Sequence, residues 1–387
     1  MNNNQTNGSS LPLQFALVGT GSWALNGNFL HIIKGGNNQH LAEIVAIVEP
    51  NERRRGNALN IFKGADGYET VEDLLSSNNK VSTNLNGIFI TSPHVTHYSL
   101  AKLALEKGIN VMIEKPMVTN VDHGYELIKL AKEKNVLFWV NNTANFRPQS
   151  IKAFNAVKSG DLGNIEHVQC HMAGALRGLM SGELGRQSAS TWAQPDRSGG
   201  YGWGQLCHLL AWVFKVSMLT PSEVFCFQNN GPSGVDLTSA AVVKCTNGAT
   251  ISISGAATLP SHTEDRGKQI NCRIFGSKGS ISYCGRDEDL NSGKLEIDLM
   301  KNGNTVYASE TFAFEECTHP PNTNEKSWSR LDAKFPDVMT EWVNACNGRD
   351  YFDGAPGEIG QRVVLVLHAM YESAKEGKLI KVDNRFY

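Results

Sequence analysis

The stretch "LQFALVGTGSWA", Leu13 to Ala24, decides how the first third of the chain folds. Its apolar run, Phe15 to Val18, is short enough for a buried strand. That run meets Gly19-Thr20-Gly21-Ser22-Trp23-Ala24, a G-x-G-x-x-A turn. Gly19 permits the tight turn, Gly21 lets the backbone approach a pyrophosphate, and Ala24 lets the following helix lie close to the strand. The phosphates would then meet free N–H groups at the helix N-terminus.

The residues that follow support this reading. A second apolar strand, "EIVAIVE", ends in Glu49, 30 residues after Gly19. A carboxylate there can accept hydrogen bonds from ribose hydroxyls and repel a 2′-phosphate, so NAD is expected over NADP. The separation is long for this motif, and "GGNNQH" (Gly35 to His40) is expected to take up the excess as a loop. Arg53-Arg54-Arg55 reads as the solvated start of a helix; Arg53 or Arg54 could still accept NADP, and Arg54 is the candidate cofactor-binding residue.

Strand and helix patterns then alternate. "NGIFITSP" and "NVMIEKP" are strands that end in turns, and "VLFWVNN" is a further strand. "HYSLAKLALEKG", closed by Gly108, and "VDHGYELIKLAKEKN" are amphipathic helices. This βαβ alternation predicts a doubly wound, mostly parallel sheet with ligand bound beyond the strand C-termini. Thr91, Ser92, Pro93, His94, His97, Glu114 and Lys115 all fall at those ends.

From about Asn145 the pattern changes. "RPQSIKAFNAVKSG" is a helix, and a series of half-buried strands follows, from "IEHVQCHMAGA" to "TVYASETFAF". Asn247-Gly248 and Asn302-Gly303 mark hairpin turns. The expected architecture is α/β: an N-terminal Rossmann dinucleotide-binding domain over 13–144, then a C-terminal α+β domain over 145–387. The second domain carries a large, mainly antiparallel open sheet, and the last helix can pack back on the first domain. Residues 1–12, polar and uncharged, read as a disordered tail.

Composition narrows the function. The formal net charge is −2. No basic excess exists to neutralise phosphates, which argues against a nucleic-acid partner or an anionic membrane. No apolar run approaches the ~18–20 residues needed to span a bilayer, and no signal peptide is legible. The eight cysteines are scattered without C-x-x-C spacing. They read as reduced thiols in a cytoplasmic protein with no metal site.

"GTGSWA", "ITSPHVTHYSLAKLALEKGINVMIEKPM" and "FRPQSIKAFNAVKSGDLGNI" together resemble the Gfo/Idh/MocA oxidoreductases. "GQRVVLVLHAMYESAKEGKLIKV" is similar to that family's closing helix and strand, so the likeness runs from about residue 13 to 383. The resemblance implies NAD(P)-linked redox at a carbinol of a sugar, cyclitol or glycoside. It also implies a homodimer or homotetramer formed through the large sheet. Lys115, in Glu114-Lys115-Pro116, would favour the developing alkoxide.

Within "GGYGWGQLCHLLAWVFKV", Leu206, Leu209, Leu210, Val213 and Phe214 form one stripe at ~100° per residue. His208 falls on the far side with Gly204, Ala211 and Lys215, small neighbours that leave space for substrate or for another packed helix. Many family members carry D-x-G-x-H here, which implies an acid/base role for His208. This chain has Gly204 where the aspartate would be and Leu206 where the glycine would be. Asn145, His171, Arg177, Trp192, Arg197 and Gln205 are candidates for holding the other substrate hydroxyls. A redox-silent NAD-binding regulator and an NAD-dependent glycosidase of the same fold would share these motifs.

Overall fold

The computed structural model describes residues 12–21, 24–25, 41–76, 80–181, 191–259, 268–286, 293–301, 304–311 and 338–385. The N-terminal tail up to Leu11, Ser22, Trp23, the Gly35–His40 loop and the Asn302-Gly303 turn lie outside the described residues.

The first sheet is built from β1 (Leu13–Val18), β2 (Ala42–Val48), β3 (Asp66–Tyr68), β4 (Leu85–Ile90), β5 (Asn110–Ile113) and β6 (Phe138–Val140). Its order is β3-β2-β1-β4-β5-β6 with every pair parallel. Helices α1 (Glu52–Ile61), α2 (Val71–Ser76), α3 (Lys80–Asn84), α4 (His97–Glu106) and α5 (Val121–Lys134) connect these strands. Their ends follow local chemistry. The Asn51 side chain caps α1 by accepting from Arg54 N, and Asn120 caps α5 by accepting from Asp122 N and His123 N. Asn135 closes α5 in the left-handed region.

The second region begins with α6 (Pro148–Lys158), β7 (Ile165–Ala173) and α7 (Arg177–Ser181). A π-helical turn, Gly202–Leu206, then leads into α8 (Cys207–Ser217). Seven strands follow: β8 (Pro221–Asn230), β9 (Asp236–Cys245), β10 (Thr250–Ala256), β11 (Gln269–Gly276), β12 (Gly279–Arg286), β13 (Lys294–Lys301) and β14 (Asn304–Thr311). The chain ends with α9 (Val338–Cys346), α10 (Gly357–Glu376) and β15 (Ile380–Lys381). The nine-stranded sheet has the order β14-β13-β12-β11-β7-β10-β9-β8-β15. It is antiparallel except where β10 runs parallel to β7. One face is covered by α8 and α10. The other exposes Phe227, Val242, Phe275, Met300 and Tyr307.

α9 departs from the domain division read from sequence. It returns to the first sheet, where Trp342 is fully buried and its ring lies 6.3 Å from Phe89 and 5.8 Å from Trp139. α10 also bridges the two sheets: Gln361 Nε2 donates to Val121 O at the start of α5, while Ser373 Oγ accepts from Cys226 N in β8. The seven cysteines among the described residues are free thiols.

Candidate active site

The ends of β1, β2, β4 and β5 form one rim. Gly19 sits at φ +87°, and a Cβ there would come within 2.9 Å of the Ser92 nitrogen. Only glycine allows this turn to approach the β4 end so closely. A Cβ on Gly21 would meet nothing within 4 Å, which leaves open space beside the turn for phosphate oxygens. Thr91 Oγ1 donates to Gly19 O at 2.6 Å and to Val18 O at 3.0 Å, locking the two turns together. Ala24 is fully buried.

Glu49 is buried at the tip of β2. Its carboxylate accepts from Thr20 N (2.9 Å), Thr20 Oγ1 (3.1 Å) and Asn51 N (3.1 Å). These bonds hold the side chain beside the glycine turn. Arg54 is exposed and turned to solvent, whereas Arg55 Nη1 donates to Glu49 O. The nearby guanidinium is thus Arg55, a residue that the arginine run could not single out. The glycine turn, the open space at Gly21 and the Glu49 carboxylate fit a nicotinamide dinucleotide.

His97 ties two rim turns together from inside. Nε2 lies 3.0 Å from Ser92 O, and Nδ1 lies 3.0 Å from Pro116 O. It is fully buried, and burial pushes its pKa down, so the ring stays neutral and shapes the turns. His94 is half-buried, with Nδ1 unpartnered. Burial, then its neighbours His97 and Lys115, lower its pKa to about 3. Glu114 accepts from Asn141 Nδ2 and from Lys115 N.

Lys115 crosses from the first sheet to the second region. It is buried, and Nζ donates to Gly204 O at 3.1 Å. The same ammonium lies 5.6 Å from the Trp192 ring. Gly204 belongs to the π-helical turn, the kind of irregularity that often marks functional sites. His208 lies one turn further on and is half-buried. Burial pushes its pKa well below the ordinary 6.5, and the charges of Lys115, Lys268 and Arg147 push it the same way. The imidazole is therefore neutral and able to accept a proton at neutral pH.

One expectation about this helix needs correcting. The side opposite the leucine stripe is packed, with Ala211 fully buried and Trp212 4% exposed. The space beside Gly204 is not open: a Cβ there would lie 3.1 Å from Trp192 ring carbons. The indole occupies the place the family's aspartate would take. Gly204→Asp should therefore destabilise the fold by about 1–3 kcal/mol through overpacking. Adding Trp192→Ala should recover much of that loss. Denaturant melts of the single and double variants test this; an unchanged single variant would show that Trp192 is not fixed there.

Asp236 and Tyr371 support the same turn and had no legible signal in the sequence. Asp236 Oδ2 accepts from Gly202 N, and Oδ1 accepts from the Tyr371 hydroxyl. The Tyr371 ring also stacks on Trp203 at 5.7 Å. The other candidates scatter. Gln205 is buried in the π-helical turn with Oε1 unpartnered. Asn145 is buried and donates to Gly354 O. Arg177 and Arg197 are exposed. His171 was expected on the inner face. The alternation of β7 puts Val168, Cys170 and Met172 against the helices, so His171 lies on the open face, bonded to Ser254 Oγ.

Comparison with known proteins agrees with this geometry. Residues 13–142 match the family model described as "Oxidoreductase family, NAD-binding Rossmann fold", and residues 151–282 match the GFO/IDH/MocA C-terminal domain. The chain belongs to the Gfo/Idh/MocA oxidoreductase family. A D-xylose 1-dehydrogenase (NADP(+)) from Hypocrea jecorina is 25% identical over 253 residues. That match spans 62% of this chain and 63% of the relative, somewhat less than two thirds of its length. Among solved structures, the WlbA dehydrogenase of Bordetella pertussis in complex with NADH and UDP-GlcNAcA superposes with a TM-score of 0.69 at 20% identity. It covers 96% of this Gfo/Idh/MocA chain and 99% of its own. A levoglucosan dehydrogenase in complex with NADH and levoglucosan gives 0.72 at 16% identity, covering 96% and 99%. Both establish the shared fold. No helix among the described residues is long and apolar enough to cross a membrane.

Proposed function

We propose that this chain is a dehydrogenase that oxidises a ring carbinol of a sugar, cyclitol or glycoside, with NAD as cofactor. The observation that carries the reading is the Lys115–Gly204 contact. It brings the buried ammonium at the end of β5 to the turn that presents His208.

The rim residues Gly19, Thr20, Gly21 and Glu49 would hold the dinucleotide, with Thr91 and His97 fixing the turns around it. When bound, the nicotinamide supplies the acceptor for two electrons and the carbinol hydrogen. Neutral His208 takes the hydroxyl proton at a ring nitrogen. The Lys115 ammonium lowers the energy of the negative charge that grows on that oxygen. Burial of both groups strengthens the interaction relative to water. Trp192 walls the site and limits water near the reacting oxygen.

The test is NADH formation with a panel of sugars, cyclitols, glycosides and their acids. Turnover of cofactor supports the reading. Bound NAD without net turnover on any member would overturn it in favour of a redox-silent protein. If the same NAD-retaining protein cleaved glycosides, the glycosidase reading would replace it.

Glu49 should set cofactor choice. The Hypocrea relative is named for NADP+, so kinship does not decide the matter. A buried carboxylate beside the ribose site should favour NAD by roughly tenfold or more, about 1.4 kcal/mol. Dissociation constants for the two cofactors test this; equal or tighter NADP binding removes the role given to Glu49. The open sheet face, with Phe227 69% and Val242 54% exposed, supports a homodimer or homotetramer formed there. Sedimentation measures its stoichiometry.

A further inference from the structure

Two groups meet the Lys115 ammonium. Nζ lies 3.1 Å from Gly204 O and 5.6 Å from the centre of the Trp192 ring, within the range over which an ammonium is drawn to an aromatic face. Among the described residues, no carboxylate forms an ion pair with that ammonium. The adjacent Glu114 carboxylate accepts from Lys115 N and Asn141 Nδ2 instead.

The surrounding backbone fixes the indole. Trp192 O accepts from Gly200 N at 2.9 Å, and a Cβ on Gly199 would come within 2.6 Å of that same oxygen. Gly200 sits at φ +104°, a conformation that favours glycine. Together these glycines let the Thr191–Ala193 turn lie directly on the chain that enters the π-helical turn. Against the ring itself, a Cβ on Gly204 would lie 3.1 Å from two ring carbons and 3.6 Å from Met180 Cε. Met180 is fully buried, and its carbonyl accepts from Ser233 Oγ.

We propose that Trp192 is a positioning residue that holds the Lys115 ammonium by its ring face, keeping the charge at Gly204 O without neutralising it. This rests on the dehydrogenase reading above, in which that ammonium favours the oxygen that becomes an alkoxide, and deepens it. A carboxylate in the same place would attract the ammonium more strongly, but it would cancel the charge and compete with the substrate oxygen for it. An aromatic face attracts through its quadrupole, carries no net charge and takes no proton. The attraction grows where water is excluded, and Lys115 is 8% exposed. Gly199 and Gly204 are the positions at which a side chain would push the indole away from the ammonium.

The experiment compares Trp192→Phe, which keeps an aromatic face, with Trp192→Leu, which keeps apolar bulk without one, in the NAD-loaded full chain. The first readout needs no substrate. It is the rate of reductive methylation of Lys115 by formaldehyde and cyanoborohydride, followed by peptide mass spectrometry and normalised to the exposed Lys129. Leucine should raise that rate about threefold or more, and phenylalanine should stay near wild type. The second readout is kcat on a substrate from the NADH panel, in each variant and again in a Lys115→Met background. Leucine should lower kcat about tenfold and phenylalanine much less, with NAD affinity retained as the control for folding. In the Lys115→Met background leucine should add little, because the group it acts through is gone. A ring that merely filled space would lower kcat equally in both backgrounds. Unchanged methylation in the leucine variant, equal effects of leucine and phenylalanine, or equal kcat losses in both backgrounds would overturn the proposal. Faster methylation in the leucine variant with no NADH from any panel member would leave the hold on Lys115 standing and remove the dehydrogenase reading; NADH formation with unchanged methylation would do the reverse.

Discussion

Lys115→Ala is expected to lower kcat by roughly 10²–10³, about 3–4 kcal/mol of barrier, and to change NAD affinity far less. The ammonium donates to Gly204 O and lies 5.6 Å from the Trp192 ring, so it is fixed before the substrate arrives. A donor already oriented toward a growing negative charge pays no reorganisation cost during reaction. Because that charge exists mainly in the transition state, the loss should appear in kcat rather than in ground-state binding. Alanine also removes a buried stem, so Lys115→Met, which keeps the stem and drops the charge, separates packing from electrostatics. Both variants should show the same kcat loss. An intact turnover number with only a raised cofactor KM would move Lys115 to a binding role.

Local signals carried the first domain. Gly19, Gly21 and Glu49 lie close together in sequence at the ends of β1 and β2, and Asn120 and Asn135 end their helix by chemistry confined to a few residues. The pairing of β9 with β10 was legible because Asn247-Gly248 joins them directly. The site itself was less legible, because its supports come from far along the chain. Tyr371 reaches Asp236 across 135 positions, and Lys115 reaches Gly204 across 89. No periodicity encodes such contacts. The helical wheel left open what lies opposite the α8 leucines for a related reason. A wheel separates apolar from polar faces, but it cannot tell solvent from the buried wall of a second domain. Gly199, Gly200, Gly202 and Gly204 are closely approached by Trp192, Asp236 or Tyr371, contacts that only the structure names. α9 falls in the C-terminal stretch yet lies against the first sheet, a return that no local signal marks.

His208→Asn should cost 10²–10⁴ in kcat, the range for losing a general base, about 3–5 kcal/mol. Asparagine keeps a polar group of similar reach but cannot accept the proton. His208 is half-buried and outside the leucine stripe, so the substitution opens no large cavity, and NAD affinity should stay close to wild type. The pH dependence gives a second, independent readout. His208 acts as a base only when neutral. Burial and the positive charges of Lys115, Lys268 and Arg147 hold its pKa well below 6.5. Activity is therefore full above that depressed value and falls as pH drops through it, which places the acidic limb of kcat/KM below pH 6.5. Lys268→Met removes one of the charges that depress the pKa, so it should move that limb upward. His208→Asn should abolish the limb altogether. A wild-type rate in the asparagine variant across roughly pH 6–9, the span over which a depressed histidine is neutral, would show that His208 is not the base. Proton removal would then fall to Lys115 acting through water, and the Lys115→Met variant would become the slower of the two.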